Sequence, residues 1–191
     1  MTKITLAVTG SIAAYKAADL VSNLTKKGHE ITVLMSKSAT QFITPLTLQV
    51  LSKNKVHVNI MDEDKPNQVN HIDLAKNTEL FLIAPATADT ISRLAHGAAN
   101  DIITAVALAL LPETPAYIAP AMNTQMYANP LVTRNIETLK AVGYTEIVPK
   151  EGLLACGDYG PGALANIDDI ITAISPNLST NKGQNEKIKI I

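Results

Sequence analysis

Two segments of this chain, Glu30–Met35 (EITVLM) and Thr78–Ala84 (TELFLIA), are apolar at nearly every position and rich in β-branched or long aliphatic residues. A strand with no polar side has to be covered on both faces. Parallel sheets sandwiched between helices provide that, whereas a half-solvated antiparallel sheet demands alternation. Lys3–Thr9 (KITLAVT) and Ala116–Ala119 (AYIA) read as further strands, Thr145–Val148 as a short fifth, and Lys55–Asn59 as a sixth. Between the first two lies Ser11–Lys27, with Ile12, Tyr15, Ala18, Leu20, Val21 and Leu24 at helical spacing. Ser11 is placed to cap this helix and Gly28 to end it. Strand and helix alternate onward. The expected fold is therefore a single doubly wound α/β domain, Rossmann-like or flavodoxin-like, with right-handed crossovers and helices on both faces of a parallel sheet.

Ligands of such sheets bind beyond the carboxyl ends of the strands. That rule singles out four loops: Gly10–Ile12, Ser36–Thr40, Pro85–Thr90 and Pro120–Tyr127. Past Pro149 the run KEGLLACGDYGPGALANIDD is glycine-rich and reads as a loop or flap over about 150–165, not as a regular element. Asp168–Ile174 reads as a final short helix. The domain is thus expected over 1–175, with a polar, mobile tail over 176–191.

Composition narrows the function. With 47% hydrophobic and 17% charged residues, the 191-residue chain is excluded from the disordered class over most of its length. Lysine plus arginine number 16 against 17 acidic residues, and the arginines are only Arg93 and Arg134, so no broad basic face is on offer and nucleic-acid binding is not expected. A single cysteine, Cys156, excludes an intramolecular disulfide and a multi-thiolate metal site. The four histidines are scattered without HxH or HxxxH spacing, so no metal is expected. The longest apolar stretch, Ala105–Pro112, falls far short of the ~20 residues of a membrane helix. No signal core precedes the first strand, and a cytoplasmic location without membrane association is expected.

The first loop, TGSIAAYK, lacks the GxGxxG dinucleotide pattern. Gly10 allows close backbone approach, and Ser11 with the amides of a helix start could hold one phosphate or carboxylate; an ordinary helix cap accounts for the same residues. Ser36, Ser38 and Thr40 follow the second strand, and Thr87, Asp89 and Thr90 follow the third. Each set alone reads as a cap. Three hydroxyl-rich caps along one sheet edge suit a phosphorylated cofactor with a polyol chain, which favours flavin mononucleotide (FMN) over a dinucleotide. His71, in NHIDLAK, is either a general base or a solvated surface histidine. Asn123, between two methionines in PAMNTQMY, is either an oriented hydrogen-bonding group or a turn residue. Cys156 lies in a glycine-rich loop, where a thiol is open to acid or redox chemistry, in contrast to a packed structural cysteine.

Taken together these segments resemble the homo-oligomeric flavin-containing cysteine decarboxylases over about residues 3–175. TGSIAAYK is similar to that family's first flavin loop, NHIDLAK to the segment of its catalytic histidine, PAMNTQMY to its PxMNxxMW motif, and ACGDYGPGAL to the cysteine motif of its substrate flap. Flavin prenyltransferases of the same fold lack the combination of His71, Asn123 and Cys156. The chain departs from the family at PATADT in place of PASANT, which puts Asp89 where an asparagine is usual and Thr87 where a serine is. Tyr127 stands for the usual tryptophan, and Ala163–Leu164 for Arg-Met.

The resemblance implies FMN as cofactor, held by Gly10, Ser11, Ile12, Ser36, Ser38, Thr87, Ala88, Asp89, Thr90 and Ala121. It implies substrate contacts from Asn123, Met126, Ala155 and Gly157, with His71 as base, Asn123 as holder of the substrate carboxylate and Cys156 as proton donor. The implied reaction is decarboxylation of phosphopantothenoylcysteine to phosphopantetheine, a step of coenzyme A biosynthesis, through a thioaldehyde and an enethiolate. Family members form trimers or dodecamers of trimers with the flavin site at subunit contacts, so a homo-oligomer is implied. Many bacterial members carry a fused ligase domain for which 191 residues leave no room, so a separate ligase is expected. Two other readings stay open: a decarboxylase of peptides ending in cysteine, and a non-catalytic flavin-binding regulatory protein.

Overall fold

The computed structural model describes residues 1–63 and 69–178. Six parallel strands form the central sheet: β1 (Lys3–Val8), β2 (Glu30–Met35), β3 (Val56–His57), β4 (Leu80–Ala86), β5 (Ala116–Pro120) and β6 (Tyr144–Glu146). Their order across the sheet is β3-β2-β1-β4-β5-β6. The chain therefore winds outward from β1 in one direction and, after crossing over to β4, in the other.

The two-sided burial expected of the apolar runs is found residue by residue. On β4, Leu80, Leu82 and Ala84 enter one core while Phe81, Ile83 and Ala86 enter the other. The alternation continues on β2, where Ile31, Val33 and Met35 oppose Leu34. Helices α1 (Ala17–Lys26), α2 (Pro45–Ser52) and α8 (Ile167–Ile174) cover the first face through Leu20, Val21, Leu24, Leu48, Ile170 and Ile174. On the second face, α3 (Asn70–Lys76), α4 (Ala88–Ala95), α5 (Ile102–Leu108) and α7 (Pro130–Ala141) contribute Ala75, Ile91, Ile103, Val106, Ile136 and Leu139. A four-residue helix, α6 (Thr124–Tyr127), follows β5. Among the described residues no helix is long and apolar enough to cross a membrane.

Three expectations need correction. The single helix over 11–27 is divided into a 3-10 turn, Ile12–Lys16, and α1; the Ser11 hydroxyl accepts from Ala13 two residues on, and Ala14 N–H donates to Ser11 O, which tightens the first turn. The third strand in order, β3, is two residues long, and β6 begins one residue early and ends at Glu146. The glycine-rich flap is an antiparallel hairpin, β7 (Lys150–Leu153) with β8 (Tyr159–Ala163), whose register shifts between Lys150 and Glu151. Its strands carry no alternating apolar pattern because they cover a groove and not a core. Past α8, Ser175–Asn177 forms a 3-10 turn, the Asn177 amide donates to the Tyr117 hydroxyl, and Leu178 packs on the core. The remainder of the expected tail, 179–191, lies outside the described residues.

Phe81 is the largest of the fully buried side chains and belongs to the second core. Phe81→Ala is expected to cost about 3–5 kcal/mol of unfolding free energy, read from the shift of the denaturant midpoint.

Candidate functional site

The order of the sheet reverses between β1 and β4, and the chain ends of these two strands are stitched by one residue, Thr9, whose backbone N–H donates to Pro85 O at 3.3 Å. The Thr9 hydroxyl, fully buried, donates to Pro85 O at 2.6 Å and accepts from Thr87 N–H at 3.0 Å. The next residue, Gly10, has no room for a side chain: a Cβ would stand 2.3 Å from the Ser38 hydroxyl. Its bareness lets the loop after β2 close on the loop after β1. The Ser36 hydroxyl accepts from Ala39 N–H at 3.2 Å, at the start of the short turn Ala39–Gln41, and lies 3.0 Å from the Ser38 hydroxyl. Thr87 caps α4, accepting from Thr90 N–H at 3.4 Å. Ala88 is the first residue of that helix.

Beside these loops opens a cavity of about 620 Å³ lined by Ser36, Ser38, Asn59, Asp89, Thr90 and Arg93, among others. Asp89, the carboxylate that departs from the family pattern, does not point free into it. Arg93 one turn on donates from Nε to Asp89 Oδ1 at 3.1 Å and from Nη2 to Oδ2 at 3.0 Å. The same guanidinium reaches Asp101 Oδ2 at 3.2 Å and Asn100 Oδ1 at 3.3 Å. The extra negative charge on this wall is thus partnered by a residue that the sequence offered only as an isolated arginine.

A second hollow, a groove of about 370 Å³, runs between the first loop and the hairpin. Ser11, Ile12, Tyr15 and Lys16 form one wall, Ala121 and Asn123 the floor, and Ala155 and Cys156 part of the other wall. The hairpin is fixed to the loop after β5 at Gly162. Met122 N–H donates to Gly162 O at 2.9 Å, and the glycine has φ of +136°, with a Cβ position only 2.3 Å from Met122 O. The tip folds back on itself through Leu154 N–H to Asp158 O at 2.8 Å and Gly157 N–H to Leu154 O at 2.9 Å.

Asn123 stands at the junction. As the cap of α6 its Oδ1 accepts from Gln125 N–H at 2.8 Å, which fixes the amide plane and turns Nδ2 toward the hairpin. Nδ2 lies 3.2 Å from Cys156 Sγ and donates to Asp158 Oδ2 at 2.8 Å; the thiol donates to the same oxygen at 3.3 Å. Lys16, on the facing wall, has its ammonium pKa lowered, first by burial and then by the charge of Lys150. Tyr127, in place of the family's tryptophan, donates from its hydroxyl to Glu146 Oε1 at 2.8 Å. Burial and that carboxylate together hold the phenol protonated well past its ordinary range.

Of the residues singled out from sequence, Ser11, Ile12, Ala121, Asn123, Ala155 and Cys156 meet in the groove, while Ser36, Ser38, Asp89 and Thr90 meet in the larger cavity. Gly10 packs against Ser38 and Thr87 caps α4 at Thr90, both beside the larger cavity. Met126 is exposed on α6, and Gly157 takes the tight turn of the hairpin tip with φ of +89°. His71 lines neither hollow; it sits in the first turn of α3, and its buried Nδ1 has no hydrogen-bond partner among the described residues. One chain therefore unites Asn123 with Cys156 but does not bring His71 to them. Sequence reasoning passed over Asp158, Lys16 and Arg93. The signal for Asp158 was its place two residues after Cys156 in a glycine-bearing turn.

Comparison with known proteins gives a consistent result. The profile of the family described as "Flavoprotein" matches residues 1–179. A Streptococcus mutans protein bearing the name "Probable phosphopantothenoylcysteine decarboxylase" is 60% identical over 176 residues, covering 92% of this chain and 98% of that one. The coenzyme A biosynthesis bifunctional protein CoaBC of Bacillus subtilis is 44% identical across 88% of this chain, which spans only 41% of that longer protein. Among solved structures, a cysteine-to-serine mutant of PPC decarboxylase complexed with pantothenoylaminoethenethiol superposes with a TM-score of 0.83 at 31% identity, covering 92% of this chain and 97% of the other.

The seam at Gly162 provides a direct check of the groove's construction. Gly162→Ala forces a Cβ into Met122 O from a backbone conformation that costs a non-glycine residue about 1–3 kcal/mol. The expected outcome is a detached hairpin, seen as lost amide-exchange protection at Met122, with the sheet amides still protected.

Proposed function

Because the chain belongs to the Flavoprotein family, we propose that it binds FMN and decarboxylates phosphopantothenoylcysteine to phosphopantetheine and carbon dioxide. The observation that carries the reading is the placement of Asn123 Nδ2 at 3.2 Å from Cys156 Sγ in a groove that opens from the first strand-end loop. An amide donor and a thiol acid at that separation can serve two ends of one small substrate.

The residues at the strand ends fit a flavin mononucleotide. Gly10 is a cradle that any side chain would fill, the neighbouring hydroxyls of Ser36, Ser38 and Thr90 suit a ribityl chain and a phosphate, and the Asp89 charge is offset by Arg93. When bound, the flavin supplies reversible acceptance of two electrons, which lets a carboxylate leave an otherwise unactivated cysteine carbon. The chain's own groups do the rest. Asn123, its amide plane fixed by Gln125 N–H, offers Nδ2 to the substrate carboxylate and sets the breaking bond against the developing π system. Cys156 delivers a proton to carbon in the last step.

His71 acts as the base. Its position outside its own groove supports a homo-oligomer, as in the trimers of the resembling family, in which His71 of one protomer serves the groove of the next. The small-molecule substrate needs no nucleic acid or membrane.

Two substitutions test these roles in protein that retains its flavin. His71→Asn is expected to abolish carbon dioxide release, by at least about a hundredfold for loss of a general base. Cys156→Ser is expected to release carbon dioxide but stall at the unsaturated enethiol, identified by mass spectrometry. Saturated product at the normal rate from Cys156→Ser refutes its role. Co-expression of the two variants is expected to restore phosphopantetheine formation, which neither assembly achieves alone; no restoration contradicts the shared site.

A further inference from the structure

Asn123 Nδ2 and Cys156 Sγ both donate to a single oxygen, Asp158 Oδ2, at 2.8 and 3.3 Å. Asn123 and Cys156 line the groove, and a carboxylate from the exposed hairpin tip is therefore already seated on the amide that the proposed function assigns to the carboxylate of the substrate. We infer that Asp158 is a positioning residue that stands in for the substrate carboxylate, so that substrate enters by displacing it. This inference rests on the function proposed above.

The geometry makes the exchange local. Asn123 Oδ1 is committed to Gln125 N–H, so the amide cannot flip to offer a second face, and the donor group at Nδ2 is what the two carboxylates compete for. Like charges at such a separation disfavour sharing. Asp158 is exposed at the hairpin tip, and its carboxylate can turn into water without a burial penalty. The displacement also frees the thiol. With Asp158 in place the Cys156 S–H is directed at a carboxylate; once Asp158 leaves, the S–H is available to the substrate carbon. Arrival of a carboxylate-bearing ligand thus releases the proton donor that the last step needs. A ligand without the carboxylate leaves the Asp158 bonds intact.

The experiment uses flavin-loaded protein and compares wild type with Asp158→Asn and Asp158→Ala. It measures KM for phosphopantothenoylcysteine and the competitive inhibition constant of phosphopantetheine, which is the same molecule without the carboxylate. Loss of a charge-assisted competitor is expected to lower KM by about fivefold to tenfold in both variants while the inhibition constant moves by less than about twofold. A role confined to holding the hairpin predicts that both constants rise together, and that result, or an unchanged KM, overturns the inference. Asp158→Asn keeps the shape and one acceptor, so a collapsed hairpin in Asp158→Ala alone does not decide the matter. Absence of turnover by flavin-loaded wild type overturns the functional reading and this inference with it, and is distinct from a wild type that turns over beside variants with unaltered KM.

Discussion

Everything at the mouth of this fold depends on one hydroxyl. Thr9 is buried between the ends of β1 and β4 and bonds both to Pro85 O and to Thr87 N–H. At this point the strand order reverses, and the Thr9 backbone N–H adds a second, longer bond to Pro85 O at 3.3 Å. Thr9 ties them, and this fixes the start of α4 relative to the first loop. Gly10 then lets the Ser38 loop close from the third side. The larger cavity, with its hydroxyl lining and its Asp89–Arg93 pair, is the space left by that closure.

The groove is built by a second device. The hairpin of β7 and β8 belongs to no core; it is pinned through Gly162 to the loop after β5. That pin brings Cys156 to Asn123, residues 33 apart in sequence. The arrangement separates stability from chemistry. The sheet and its two cores hold the loops, while the hairpin, exposed at Leu153 and Tyr159, has few buried contacts to restrain its tip. A substrate wall that has to admit and release a ligand is well served by such an element.

The sheet and its covering helices were legible because burial on both faces leaves a mark in every strand: Leu82 and Ile83 on β4 have no polar neighbour to confuse the period. The hairpin was not legible. Two of its glycines, Gly160 and Gly162, answer to close contacts with Thr124 and Met122 from elsewhere in the chain, and local sequence does not record such contacts. The departure at Asp89 could be noticed from sequence, but its compensation by Arg93 needed the helix to place them one turn apart. His71 illustrates the limit from another side. A motif can name a base, yet whether it serves its own groove depends on how copies of the chain meet. Asp158 was hidden for a simpler reason: beside Cys156, an aspartate in a turn is an ordinary sight until the side chains converge on one oxygen.

The central claim is that the groove holding Asn123 and Cys156 decarboxylates phosphopantothenoylcysteine and returns a saturated product. Mass spectrometry of that compound after incubation with the flavin-loaded protein tests it most directly. The account predicts loss of carbon dioxide and phosphopantetheine as the product. Accumulation of the unsaturated enethiol, or no turnover at all, would contradict it.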